Sequence, residues 1–213
     1  MTGYKRNQVE EAIGRIVEPQ SAKPSSELRT RLKRLLDMDR SLGRVVRSTD
    51  PESANYVFYS EDAPGKGVEV RFSDYEAFAL LTGLRLLRHE WPQGFAVALL
   101  RRLRPELERQ HARILRQDGR ELFDEERIRR EARAGDLAFD NADPVLLIIV
   151  SGEGGKKTAQ VTSGAVCRGM QEVSKFLRQQ GAQSWTLLEL VTPAHVLRQQ
   201  LSKAEPRKRG RSG

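Results

Sequence analysis

One cysteine, Cys167, in 213 residues leaves no internal disulfide and no zinc site built on several thiolates. Histidine is nearly as scarce. His89, His111 and His195 stand far apart with no HExxH or comparable spacing, so no histidine-based metal centre is expected, and each reads as a surface or boundary residue. No uninterrupted apolar run exceeds the stretch from Val145 to Val150, far short of the roughly 20 residues a membrane span needs. The opening MTGYKRNQVEEAIGR has no apolar core of the kind a secretory signal carries. The expectation is a soluble, cytoplasmic chain with no membrane contact.

What the sequence does have is charge. Charged residues make up 31% and apolar residues 38%, with a net charge of +8 and a pI near 9.9. That composition suits a folded, soluble protein and raises the prospect of a polyanionic partner, because cations on a protein release the counterions condensed on phosphates. Residues 1–50 hold 11 basic and 7 acidic side chains, while residues 51–140 hold 15 and 17. The tail LSKAEPRKRGRSG is strongly basic again, and reads as a solvated terminus. The excess at the N-terminal end falls on an apparent pair of helices.

In that pair, Val9, Ala12, Ile13 and Ile16 form one apolar stripe, PQSAKPSS is a turn, and Ser25 or Ser26 caps a second helix with Leu28, Leu32, Leu35 and Leu36 inward. YVFY (56–59) and VEVRF (68–72) flank a Pro/Gly-rich segment and predict a β-hairpin. Ser73 or Asp74 then caps a third helix through Tyr75, Phe78, Leu81 and Leu84, and Pro92 and Gly94 break it before a fourth, in which Pro105 marks a kink or a new start. After a polar, charged stretch, VLLIIV and TAQVTS predict strands and Gly164 to Gln180 a helix ended by Gly181. WTLLELV predicts a strand, and TPAHVLRQQL a last helix capped by Thr192. The expected fold is mainly α with small β elements (α+β). The expected divisions are 1–105, a connector 106–143, a small β-β-α-β-α unit 144–201 and a basic tail 202–213.

Helix, turn, helix, hairpin, helix, helix is the order of a winged helix-turn-helix, whose second helix enters the major groove while the hairpin touches flanking backbone. The candidate contacts follow from that plan. Arg29, Lys33 and Arg34 share the outer side of the second helix with Thr30, and guanidinium groups bond guanine edges or phosphate in pairs. Ser25 and Ser26 open that helix, where free N–H groups favour phosphate. Lys66 sits at the hairpin tip, Arg71 leaves it, and Lys5 and Arg6 precede the first helix.

These places resemble the MerR-like winged-helix family. Tyr4 with Lys5, Ser25 to Asp37, Tyr56 to Phe72 and FSDYEAFALLTGLRLLRHEWPQGFAVALLRRL stand at the family's landmarks, over about residues 3–105. Arg71 and Phe72 take the place of the family's Arg-Tyr pair, and the family's usual aromatic in the second helix has no counterpart. The resemblance implies a dimeric reader of double-stranded DNA and nothing about a ligand. Leu107, Ile114 or Leu115, Leu122 and Ile128 recur at loose heptad intervals and suggest an antiparallel dimerisation helix.

Signals for an enzyme fail in detail. SGEGGKKT follows a strand, yet Lys157 stands where a phosphate-binding loop needs Ser or Thr, and Val150 where it needs glycine. Cys167 has no histidine near it in sequence, and the acidic run Asp124 to Glu126 is explained by ion pairing along a helix. The sequence therefore predicts a non-enzymatic, cofactor-free transcriptional regulator that binds a specific DNA site as a homodimer and sits at the nucleoid. The competing assignment is a structural or adaptor DNA-binding protein of replication, partition or packaging, with little sequence preference. The 144–201 unit would serve a protein partner, a small-molecule effector or oligomerisation, with Trp185 and Phe176 in its core.

Overall fold

A computed structural model describes residues 3–60, 70–131, 139–151, 161–182 and 184–206. It is a mixed α+β protein, mostly helical, with two small antiparallel sheets. Lys66 and the rest of 61–69, the stretch GEGGKKTAQ (152–160) with the turn and the start of the predicted TAQVTS strand, and the basic tail from 207 onward lie outside the described residues.

The chain opens with strand β1 (Tyr4–Lys5) and helix α1 (Arg6–Val17). Helix α2 (Ser26–Leu42) follows, with Ser25 as the predicted cap: its hydroxyl accepts from the Leu28 N–H at 3.0 Å. The predicted leucine stripe is the buried one, and Asp39 lies on it as well. Beyond a short helix α3 (Pro51–Ala54) the structure departs from the predicted hairpin. Tyr56 to Tyr59 are all buried and form no strand. Strand β2 (Arg71–Phe72) pairs instead with β1, Tyr4 opposite Phe72 and Lys5 opposite Arg71.

The reason is hydrogen bonding to side chains. The Val57 and Phe58 N–H groups donate to the Asp39 carboxylate at 2.9 and 3.0 Å, and the Tyr56 and Tyr59 carbonyls accept from Arg104. A buried backbone must satisfy its polar groups somewhere, and here charged side chains take the place of a strand ladder. YVFY is apolar and β-prone because it is core, not because it is sheet.

Helix α4 (Asp74–Arg88) starts at the predicted Ser73, which forms a reciprocal capping box with Glu76. Helix α5 (Gln93–Ile114) runs unbroken through the exposed Pro105, so that proline is neither a terminus nor a break. Two short helices, α6 (Gly119–Leu122) and α7 (Glu125–Glu131), follow. Leu107, Ile114 and Leu122, expected to face a second subunit, are buried in the chain's own core at 1, 1 and 3% exposure. Those three positions are therefore occupied within the chain's own core, while Leu115 and Ile128 of the same predicted stripe are half-buried.

The second sheet has the order β4-β3-β5, all antiparallel, from β3 (Val145–Ser151), β4 (Val161–Arg168) and β5 (Ser184–Glu189). Strand β4 extends to Arg168, so 164–168, expected as the start of a helix, is strand. Helix α8 is Gly169–Gln180, and Gly181 ends it in the left-handed conformation (φ 59°). Gly164 is required by packing. A Cβ there would lie 2.7 Å from a Leu99 methyl on α5 and 3.2 Å from the Ile148 carbonyl. Strand propensity in GAVCR becomes visible only when the sheet lies flat on α5.

One face of the sheet carries Leu146, Ile148, Cys167 and Leu187 under Val173, Phe176 and Leu177 of α8. The other face, with Val145, Leu147, Ile149 and Leu188, joins the cluster that begins at Val9. The last helix, α9 (Val191–Lys203), packs on α1, α4 and α5, and Gln8 donates to the Ala204 carbonyl at 2.8 Å. One hydrophobic cluster thus runs from Val9 to Leu201, and the boundaries at 105/106 and 143/144 separate no cores. Helix α9 starts after Leu190 rather than at Thr192, and the carboxylate of Glu189, just before it, accepts from the Val191 and Thr192 N–H groups. Trp185, expected in the core, is 49% exposed.

Candidate nucleic-acid interface

Four leucines hold α2 against the core and leave its opposite side to solvent. Arg29, Thr30, Lys33 and Arg34 are all exposed there. At 3.6 residues per turn, Arg29, Lys33 and Arg40 fall within about 40° of one another on the helix, and Arg34 lies about 100° from Lys33. The outer face therefore carries Arg29, Lys33 and Arg40 along one edge, interrupted between Lys33 and Arg40 by the exposed Asp37, which pairs with Arg40 at 3.8 Å, and one separate arginine. Arg29 is loosely tethered, its Nε 3.9 Å from Glu10. The Thr30 hydroxyl donates back to the Ser26 carbonyl at 2.8 Å. Lys33 and Arg34 form no side-chain hydrogen bond or ion pair with any described residue.

The other sequence-predicted contacts divide. Arg6 is exposed and bonded to Glu10 at 2.7 Å, an i,i+4 pair of the ordinary surface kind. Lys5 is half-buried in β1, and Arg71 in β2 is exposed and donates to the Gly3 carbonyl at 3.3 Å. Pairing of β1 with β2 brings Lys5 opposite Arg71, next to the start of α1. Ser26 is exposed. Ser25 is not open to an incoming anion: its hydroxyl donates to Glu18 at 2.6 Å and its N–H donates to the same carboxylate at 2.9 Å. These bonds hold the Glu18 carboxyl below its usual pKa. The chain's own carboxylate thus takes the place at the start of α2 that the sequence assigns to a phosphate.

Sequence reasoning passed over a buried charge network behind α2. Asp39 and Arg101 are 0 and 3% exposed, with Arg101 Nε 2.7 Å from Asp39 Oδ1. Arg101 also donates to the Asp39 carbonyl and to the Gly43 carbonyl at 2.8 Å. Burial pushes the Asp39 carboxyl above its ordinary pKa, while the Phe58 N–H and Arg101 pull it down. The signal was present in the sequence: Asp39 sits on the leucine stripe of α2, and Arg101 and Arg104 sit among apolar positions of α5. A charge on an apolar stripe calls for a buried partner.

His111, expected at the surface, is buried, stacked on Phe78 with ring centroids 4.6 Å apart and edge-on to Tyr75. Burial lowers its pKa to about 4. His195 is half-buried, with Nε2 3.2 Å from the Ile114 carbonyl, and only His89 is exposed. Among the described residues no cluster of His, Cys, Asp and Glu could hold a metal ion, and no helix is long and apolar enough to cross a membrane. A polar hollow of about 350 Å³ lies among Gln117, Asp118, Glu121, Leu122, Arg127 and Asp143. Asp143 is already bonded there to Arg113, Gln117 and Arg168.

Compared with known proteins, the chain matches no family model, no curated protein and no solved structure.

Proposed function

We propose that this chain is a cytoplasmic, non-enzymatic DNA-binding protein, located at the nucleoid, that engages a duplex through the outer face of α2. Within that class it is a site-specific transcriptional regulator acting as a dimer. The supporting observation is the exposed cationic face of α2, with Lys33 and Arg34 unpaired among the described residues on a helix fixed by four buried leucines. A side chain that spends no energy leaving an internal partner binds phosphate or a guanine edge at lower cost. A helix about 25 Å long, at 1.5 Å per residue, has the length to lie in a major groove.

In this assignment the winged plan is reduced. The β1–β2 pair, with Lys5 and Arg71, and the segment that carries Lys66 take the flanking-backbone role. Dimerisation uses a surface other than the Leu107–Ile114–Leu122 stripe, which the core already occupies. The 144–201 segment, fused to the same core, serves a protein partner, an effector or the dimer contact.

Selection from a random-sequence duplex pool, with sequencing of the retained fraction, tests the assignment. Recovery of a palindromic or two-part motif is the expected result. Retention without a motif would move the protein to the structural or adaptor class, and no retention at low salt would remove DNA binding altogether.

A further inference from the structure

Leu42, Val45 and Val46 are exposed by 53, 61 and 72%, and with Trp185 they are, among the described residues, the large apolar side chains most open to solvent. Leu42 is the last residue of α2 and Val45 and Val46 follow just past it, in the run RSLGRVVR (40–47), which holds three arginines and no acid. An apolar tip of this kind is usually mobile. This one is tied at several points. The Val45 N–H donates to the Ser53 carbonyl at 2.8 Å and the Ser48 N–H to the Val45 carbonyl at 2.9 Å, closing a tight turn. The buried Arg101 grips the Gly43 carbonyl at the base. Nearby carboxylates are engaged internally: Asp50 caps α3 through the Glu52 and Ser53 N–H groups, and Glu52 pairs with Arg102 at 3.1 Å.

The cations around the tip are oriented as well. Arg40 lies over the Tyr59 ring at 6.0 Å and Arg44 over the Tyr56 ring at 5.7 Å, while Arg47 is exposed on the turn itself. Arg40 lies on the side of α2 that carries Arg29 and Lys33, where it also pairs with Asp37 at 3.8 Å. A pair of branched aliphatic side chains fixed at a tip and flanked by guanidinium groups has the chemistry of a wedge. Aliphatic groups enter between base pairs and unstack them, and arginines occupy the narrow, strongly negative minor groove beside the opened step.

We infer that the Val45–Val46 turn is a second DNA contact, which inserts into the minor groove at a base step next to the site held by α2 and bends the duplex there. This rests on the DNA-binding assignment above and adds the deformation of the duplex to it. Because the turn is ordered before binding, the cost of fixing it is not charged against the complex.

The test uses the full chain and duplexes carrying 2-aminopurine at successive steps, with donor and acceptor dyes at the ends. The wild type should raise 2-aminopurine fluorescence at one step and shorten the end-to-end distance. Val45→Ser with Val46→Ser should abolish both signals and weaken binding by roughly tenfold or more, from the lost burial of two aliphatic groups. The salt slope should stay as it is, since the valines neutralise no phosphate. Arg47→Ala should lower that slope by about one. These positions are exposed, so an unchanged melting temperature will confirm that the variants fold. Wild-type binding without unstacking or bending, or a serine variant that keeps both, overturns the wedge and leaves DNA binding by α2 standing. An apolar tip that instead contacts an acidic protein gives that same result. No duplex binding by the wild type at any salt removes both.

Discussion

Arg101 reaches across from α5 to Asp39 on α2, 2.7 Å between Nε and Oδ1, and both side chains are shut off from water. The pair does more than cross-link two helices. Asp39 holds the Val57 and Phe58 N–H groups, and Arg101 holds the Gly43 carbonyl, so this one ion pair ties down both ends of the 43–58 segment, with Arg104 on the Tyr56 carbonyl beside it.

Breaking one partner should therefore cost far more than a surface ion pair. Arg101→Ala leaves a buried carboxylate uncompensated, and stability should fall by about 3–5 kcal/mol in urea unfolding. Hydrogen exchange provides the local readout, with the Val57 and Phe58 amides losing protection ahead of those in α4. Uniform loss of protection, or a loss of stability below about 1 kcal/mol, would show that the pair does not organise the segment.

Acid should weaken the fold through His111. Its pKa lies at about 4 when folded against 6.5 as a free side chain, so the unfolded chain binds this proton first. The stabilisation is complete above about pH 6.5 and is lost as pH falls towards 4, by roughly 3 kcal/mol in all. His195, also held low by burial, acts in the same direction. Melting temperatures from pH 8 to pH 4 check this. His111→Gln should flatten the acid limb, and an unchanged pH profile in that variant would assign the limb to other groups.

Glu18 occupies the start of α2 with its carboxylate on Ser25. If duplex phosphates approach that end, the negative charge opposes them. Glu18→Gln, which keeps an acceptor for Ser25, should tighten duplex binding at low salt by about two- to fivefold, the scale of one charge at a helix terminus. Equal affinity in wild type and variant would place the DNA away from the start of α2.

Much of the helical skeleton was legible in the sequence because it rests on local rules: the leucine stripe of α2, the Ser25 and Ser73 caps and the Gly181 terminus all stand where spacing put them. What failed depended on distant partners. YVFY looks like strand until Asp39 and Arg104 are known to satisfy its backbone. GAVCR needs Leu99 beside Gly164 before it reads as sheet. Leu107, Ile114 and Leu122 look like a dimer seam because sequence cannot say that the chain's own core buries them. At the candidate interface, the exposure of Arg29, Thr30, Lys33 and Arg34 followed from periodicity. The carboxylate on Ser25 and the fixed turn at Val45 did not, since both are set by contacts across loops.

The most direct test of the central claim is the salt dependence of duplex binding for the wild type, for Lys33→Ala with Arg34→Ala, and for Lys208→Ala with Arg209→Ala in the tail. Reading by α2 predicts that the first pair weakens binding strongly and makes the salt slope shallower by about two, with a smaller change for the tail pair. If the α2 pair binds as the wild type does while the tail pair loses binding, the basic tail is the DNA contact and α2 is an ordinary solvated helix.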